Sequence, residues 1–152
     1  IQGLETVALR MNQHCENAKK VVDYLKKHKE VTRVIYATEH EKIISDRAKD
    51  YLKGGNGPMV GIELKGGFEA GKKFIESLKM FYHVANIGDA RSLAIHPAST
   101  THSQLNEKEL AASGVTQSYV RLCIGLEHID DIIEDLDQAL NKSSKGSLKA
   151  VS

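Results

Sequence analysis

Arg121 is the residue whose type and position best suit the binding of a ligand. It stands inside a mostly apolar run, residues 119–124, where Val120, Leu122 and Ile124 alternate with other residues. Side chains of a strand point alternately to opposite faces of a sheet, so burial of these three would turn Arg121 to the other face. A guanidinium there matches a carboxylate through two parallel hydrogen bonds. A carboxylate receptor under another domain and an ordinary surface arginine both remain open, and composition alone favours the second.

The segment NIGDARS, residues 86–92, is a second candidate. It combines several hydrogen-bonding side chains with a glycine that lets a ligand approach the backbone closely, which suits the rim of a binding site. An ordinary turn explains the same residues equally well, so the segment by itself does not define a site.

Other patterns that could carry chemistry are incomplete. His96 and His102 have no convergent carboxylate or cysteine, which makes them a poor set of metal ligands. The glycine-rich residues 54–57 lack the Lys-Ser/Thr ending and the following helix of a phosphate-binding loop. Cys15 lies on an apolar helix stripe and is expected to be a core thiol. The sequence therefore predicts no metal site and no self-contained catalytic centre.

Length and charge limit the classes of protein to which the chain could belong. Its 152 residues, 41% of them hydrophobic, suffice for one globular domain. A net charge of +1 and the lack of a long apolar run disfavour nucleic-acid and membrane partners. Cys15 and Cys123 are far apart and suggest reduced thiols, so we expect a cytoplasmic protein.

The elements that would position Arg121 can be predicted from hydrophobic periodicity. Apolar residues spaced by three and four predict a long helix from residue 4 to residue 28, longer than the cover of one small sheet requires. We therefore expect part of this helix to pack on a surface outside the chain. Strands are predicted at 31–36, 60–64, 81–86, 93–96 and 119–124, and further helices at 41–52, around Phe74, from Asn106 and at 129–140. The simplest arrangement is a two-layer α/β sandwich with helices on one face of a largely antiparallel sheet.

Three segments together resemble a known enzyme family. The run LAIHPASTTHSQL at 93–105, GVT at 114–116 and VRLCIGLE at 120–127 are similar to the C-terminal part of the Cys/Met-metabolism enzymes, which use pyridoxal phosphate. The similarity is greatest to their O-acetylhomoserine sulfhydrylase branch, and it extends from about Gly3 to Leu140. It implies the small C-terminal domain of a fold-type I pyridoxal-phosphate-dependent transferase.

The resemblance assigns roles to two residues. The arginine of the R-L-x-x-G-x-E run receives the substrate α-carboxylate in such enzymes, and Arg121 holds that position here. Related lyases and synthases have Ser-Leu-Gly-Gly near the substrate where this chain has Asn-Ile-Gly-Asp at 86–89, which assigns a substrate contact to Asn86. The departure from Gly-Gly favours the sulfhydrylase branch over cystathionine γ-synthase.

The family's cofactor motifs are missing from the chain, including the Ser-x-Thr-Lys run of the Schiff-base lysine. The resemblance thus implies that a separate large domain binds pyridoxal phosphate and that the isolated chain is inactive. Residues 1–28 would form a helix leading in from that domain, residues 29–140 the small domain and residues 141–152 a flexible tail. No catalytic, cofactor-binding or metal-binding residue is assigned to this chain.

The activity implied is replacement of the acetoxy group of O-acetylhomoserine by sulfide, which yields homocysteine for methionine biosynthesis. The resemblance also implies a homo-oligomer, a tetramer. A methionine γ-lyase, a cystathionine γ-synthase and a non-catalytic binding or oligomerisation module remain as alternatives, and the preferred nucleophile stays open.

Overall fold

A five-stranded sheet forms the centre of the structure, a computed structural model that describes residues 1–39 and 41–144. The strands lie in the order β1-β2-β5-β4-β3, and every neighbouring pair is antiparallel except β3 with β4. The prediction of a largely antiparallel sheet is confirmed. The strands are β1 (Val31–Ile35), β2 (Met59–Leu64), β3 (Tyr82–His83), β4 (Leu93–Ile95) and β5 (Tyr119–Cys123).

Three helices, α2 (Val7–Leu25), α4 (Gly67–Ser77) and α6 (Ile129–Ser144), cover one face of this sheet and complete the two-layer α/β sandwich. Their apolar stripes meet the inward side chains of the central strands, and Phe74, Leu122 and Leu136 are fully buried there. The helices are α1 (Gln2–Glu5), α2 (Val7–Leu25), α3 (Lys42–Tyr51), α4 (Gly67–Ser77), α5 (Glu107–Ala112) and α6 (Ile129–Ser144), with a 3-10 turn at Pro97–Ser99.

The first helix differs from the continuous 4–28 helix that the periodicity predicts. Thr6 leaves helical geometry at φ −114° and ψ 9°, which separates α1 from α2, and α2 ends at Leu25. Threonine is a weak helix former, and a break after one turn is inexpensive so close to a helix end. Only the part of α2 from His14 onward contributes buried residues. Leu4 and Leu9 are 73% and 72% exposed.

The chain after β3 leaves the sheet earlier than the predicted strand 81–86. Only Tyr82 and His83 pair with β4. Residues 84–91, which we call the strap, then run to β4 and are exposed except for the partly buried Asp89. A strand prediction from side-chain type cannot detect this departure, because it depends on where the backbone finds hydrogen-bond partners.

At the other end, α6 continues to Ser144 and so includes the first four residues of the segment predicted as a flexible tail. Ser143 is buried, and the Lys142 ammonium donates a hydrogen bond to Gln138 Oε1 at 2.8 Å. The rest of that prediction, residues 145–152, lies outside the described residues. None of the helices in the described part of the chain has the length and apolar character needed to cross a bilayer.

Candidate functional site

Arg121 lies on the face of the sheet opposite to the three packed helices. Its neighbours Val120 and Leu122 are fully buried in the helix-covered core, whereas Arg121 itself is half-buried. The residues paired with it are Gly61 on β2 and Ile95 on β4. We call this side of the sheet the open face. The strand alternation therefore predicted the orientation of Arg121 correctly.

The guanidinium of Arg121 has few partners. Its Nη2 donates a hydrogen bond to the carbonyl oxygen of Asn86 at 3.3 Å. Among residues 1–39 and 41–144 the side chain makes no other hydrogen bond and no ion pair within 4.0 Å. Since an arginine side chain carries five N–H donors, most of them remain available to an anion. A carboxylate could accept two of them in parallel.

A cavity of about 360 Å³ adjoins this arginine. The ring of Tyr119 covers Gly61, where a Cβ atom would come within 2.6 Å of Tyr119 Cε2, so only glycine leaves room for the ring. Burial raises the pKa of the Tyr119 phenol, and the Arg121 charge opposes that shift. The remaining walls include the side chains of Ile35, Ile44 and Met59.

Asn86, the second residue to which the resemblance assigns a role, lies next to Arg121. Its backbone carbonyl contacts the guanidinium, and its side-chain Oδ1 accepts a hydrogen bond from the Ile87 N–H at 2.9 Å. The side chain is exposed, and its amide nitrogen has no hydrogen-bond partner within the described ranges 1–39 and 41–144. The structure thus makes Asn86 a backbone partner of Arg121, with its amide group at the protein surface.

Arg91, the other arginine near the strap, is already engaged. Its backbone N–H and Nε donate to Asp89 Oδ1 at 3.0 and 3.3 Å, and its guanidinium lies 4.3 Å from the centre of the Tyr82 ring. Hydrogen bonds from Arg91, first from its backbone, lower the pKa of Asp89. Because Arg91 is paired with Asp89 within the strap and Arg121 is not paired with a carboxylate of the described residues, Arg121 is the better candidate for binding an anion.

A hydrogen-bonded cluster that sequence reasoning did not identify connects the strap to the end of β5. The carboxylate of Glu127 accepts hydrogen bonds from the backbone N–H of Ser92 at 2.7 Å and from its hydroxyl at 2.8 Å. The Ser92 oxygen in turn accepts the Gly125 N–H at 2.9 Å. The G-x-E spacing after a strand was the available signal, but residue types alone do not show that a segment more than thirty residues away is the partner.

His96 proves to be a structural histidine. It is fully buried, with Nε2 2.8 Å from the Gln117 carbonyl and Nδ1 2.9 Å from Ser99 Oγ. Because a carbonyl can only accept, Nε2 carries the proton, and burial lowers the pKa of the ring. No group of three potential metal ligands occurs in the described part of the chain, where both ring nitrogens of His96 are already occupied.

Cys15 is less buried than a core thiol. It is half-buried on α2, and a Cβ atom at Gly55 would come within 2.7 Å of its sulfur. The expectation of a core position is wrong, because the thiol lies under the loop that contains Gly55 and is only partly covered. Cys123 is buried, and both cysteines are free thiols.

The described residues do not fit a covalently bound pyridoxal phosphate. Every described lysine is exposed to solvent. A lysine that forms a Schiff base is typically activated by desolvation or by a neighbouring cation. The described residues therefore include no lysine suited to hold that cofactor covalently.

The family model described as Cys/Met metabolism PLP-dependent enzyme matches residues 1–141. An O-acetyl-L-homoserine sulfhydrylase of Leptospira meyeri is 50% identical over 141 residues, which cover 92% of this chain and 32% of the relative. An L-methionine gamma-lyase of Fusobacterium nucleatum subsp. polymorphum is 45% identical over 147 residues, covering 93% of this chain and 36% of that protein.

A solved structure shows the same fold. The crystal structure of a Campylobacter jejuni protein assigned as O-acetylhomoserine (thiol)-lyase, which carries a pyridoxyl-lysine phosphate, matches with a TM-score of 0.84 and 42% identity. The match covers 92% of this chain and 33% of that one. The chain spans about a third of the length of the curated relatives that it matches, in their C-terminal part. It belongs to the Cys/Met metabolism family of pyridoxal-phosphate-dependent enzymes.

Proposed function

We propose that the chain forms the substrate-carboxylate-binding domain of an O-acetylhomoserine sulfhydrylase. Such an enzyme exchanges the acetoxy group of O-acetyl-L-homoserine for sulfide and produces homocysteine. The observation that carries the proposal is the half-buried Arg121 on the open face, whose guanidinium makes a single hydrogen bond, at 3.3 Å, to the part of the chain that the structure describes. Relatives named for this activity include proteins of Leptospira meyeri and Thermus thermophilus.

In this proposal Arg121 binds and orients the substrate without taking part in bond making. Two of its N–H groups donate in parallel to the α-carboxylate, which fixes both the position and the plane of that group. Asn86 holds one edge of the guanidinium through its carbonyl and presents its side-chain amide beside the bound substrate.

The cofactor is assigned to a part of the enzyme beyond this chain, because the described lysines are exposed. Residues 1–28 lead in from that part, and the small domain runs from residue 29 through the end of α6 at Ser144. Apolar side chains are exposed on α1 and at the start of α2, Leu4 and Leu9 among them. Their exposure supports the proposal that the cofactor-binding part, or a second subunit of a homo-oligomer, packs against them. Two free cysteines suit a reducing cytoplasm. The isolated chain is expected to be inactive.

Methionine γ-lyase is the second candidate, since relatives with that name are 44% and 45% identical over nearly the same range. An assay of the full-length protein separates the two. O-acetyl-L-homoserine is offered with sulfide, methanethiol or cysteine in competition, and L-methionine is offered alone. We expect homocysteine from sulfide to form with the highest kcat/KM. Equal or faster release of methanethiol from L-methionine would identify the lyase, and no turnover in either assay would favour a non-catalytic module.

A further inference from the structure

We propose that Glu127 and Ser92 form a latch that positions the strap against Arg121, which makes Glu127 a positioning residue for the carboxylate site. The inference rests on the proposed function of Arg121 and extends it to residues that do not touch the substrate. The latch consists of the two hydrogen bonds that Glu127 accepts from Ser92, at 2.7 and 2.8 Å.

The strap depends on its ends because its middle has little packing. Seven of its eight residues are exposed, including Val84 and Ile87 at 44% and 60%. Its first end continues from β3, where the Tyr82 N–H donates to the Ser92 carbonyl at 3.0 Å. Its second end is fixed where the Leu126 N–H donates to the Ala90 carbonyl at 2.8 Å and where Ser92 meets Glu127. The position of Asn86 is thus set largely through these attachments.

Every polar atom of the buried Ser92 has a hydrogen-bond partner. Ser92 is fully buried, its backbone N–H and hydroxyl both donate to the Glu127 carboxylate, and its oxygen accepts the Gly125 N–H at 2.9 Å. Any side chain at Gly125 would overlap both the Glu127 carboxylate and the Ser92 backbone nitrogen. Hydrogen bonds to an ionised acceptor are about twice as strong as neutral ones. Removal of the carboxylate would leave two buried donors of Ser92 without a partner.

The turn that carries Glu127 is itself held from α2. His14 Nδ1 lies 2.7 Å from the Ile124 carbonyl, and Asn17 Nδ2 donates to the carbonyls of Gly125 and Glu127 at 3.0 Å each. A change in the Glu127 side chain therefore leaves the turn in place and weakens the hold on the second end of the strap, where the Leu126–Ala90 hydrogen bond remains. The loosened strap holds the Asn86 carbonyl against Arg121 less firmly and lets the guanidinium take other orientations.

The kinetic consequence differs from that of general instability. In this proposal the α-carboxylate of the substrate is bound equally in the ground state and in the transition state. A less firmly positioned Arg121 therefore raises KM and leaves kcat nearly unchanged. A merely structural role would lower the amount of folded enzyme, and with it the apparent kcat, without raising KM. Gln keeps one acceptor for the Ser92 N–H and should preserve part of the latch, whereas Ala removes it.

The test uses the full-length enzyme with Glu127→Ala, Glu127→Gln, Ser92→Ala and Arg121→Lys. Glu109→Gln is the matched control, since the Glu109 carboxylate also accepts a backbone N–H, from Asn106 at 2.8 Å, but in the cap of α5. We expect Glu127→Ala to raise KM for O-acetyl-L-homoserine about tenfold, equivalent to one lost hydrogen bond to a charged group, with Glu127→Gln between it and wild type. kcat should stay within about twofold, and Glu109→Gln should match wild type.

An unchanged KM in both Glu127 variants, or a loss confined to kcat, would overturn the latch. If Glu127→Ala does not fold, Glu127→Gln and Ser92→Ala decide by the same criterion. If kcat/KM falls in Arg121→Lys but KM is unchanged in the Glu127 and Ser92 variants, the latch is refuted and the proposed function stands. If Arg121→Lys also retains the wild-type specificity constant, the proposed function itself is wrong.

Discussion

The two faces of the sheet use neighbouring residues of the same strands for different purposes. On the helix-covered face, Val60, Ile62 and Leu122 are fully buried and pack into one apolar core. On the open face, Arg121 is half-buried and the strap beside it is mostly exposed. The first face provides stability within the chain, and the second presents N–H donors that a ligand or another surface could bind. Adjacent substitutions in β5 should therefore separate stability from binding.

Substitution on the covered face should have the largest effect on folding. We expect Leu122→Ala to lower the free energy of unfolding by about 2–5 kcal/mol, through lost burial and the cavity left behind. The adjacent Arg121→Lys should change it by less than about 0.5 kcal/mol. Urea unfolding of the two variants measures both values, and similar losses would show that Arg121 supports the fold as much as the core does.

A buried polar group provides the next largest effect. The Asp135 carboxylate on α6 accepts backbone N–H groups of Lys79, Met80 and Phe81, at 2.8 to 3.2 Å, and so fixes the approach to β3. Asp135→Asn should cost about 1–3 kcal/mol, because an amide cannot serve all three donors as an acceptor. The exposed Asp131→Asn on the same helix is the control and should be nearly neutral. Equal stability of both variants would contradict this role.

The smallest effect expected is a pH dependence from His96. Because burial lowers its pKa in the folded state, the neutral ring stabilises the fold. That contribution is complete above the unfolded-state pKa of about 6.5 and is lost as the pH falls through the lower folded-state value. His96→Gln should thus reduce the slope of unfolding free energy against pH between about 7 and 5, by at most about 1.4 kcal/mol per pH unit.

Burial also lowers the pKa of His28, so some slope should remain in the His96 variant. A His96 variant with the wild-type slope would mean that this ring titrates as it does in the unfolded chain.

Local patterns were sufficient for the features that depend on one element at a time. The alternation around Arg121 gave its face, and Asn106 with Glu109 gave the capping box that begins α5. The course of the strap and the Glu127 latch were not predictable, since both depend on hydrogen bonds between segments more than thirty residues apart. The carbonyl role of Asn86 is equally invisible in sequence, because any residue could supply that atom.

The most direct test of the account compares kcat/KM for O-acetyl-L-homoserine between wild type and Arg121→Lys, in the full-length enzyme at matched cofactor occupancy. Lysine keeps the charge but loses the two-pronged geometry, so we predict a loss of roughly ten- to a hundredfold with the cofactor spectrum nearly unchanged. A ratio near one would show that Arg121 is an ordinary surface residue and that the carboxylate assignment is wrong.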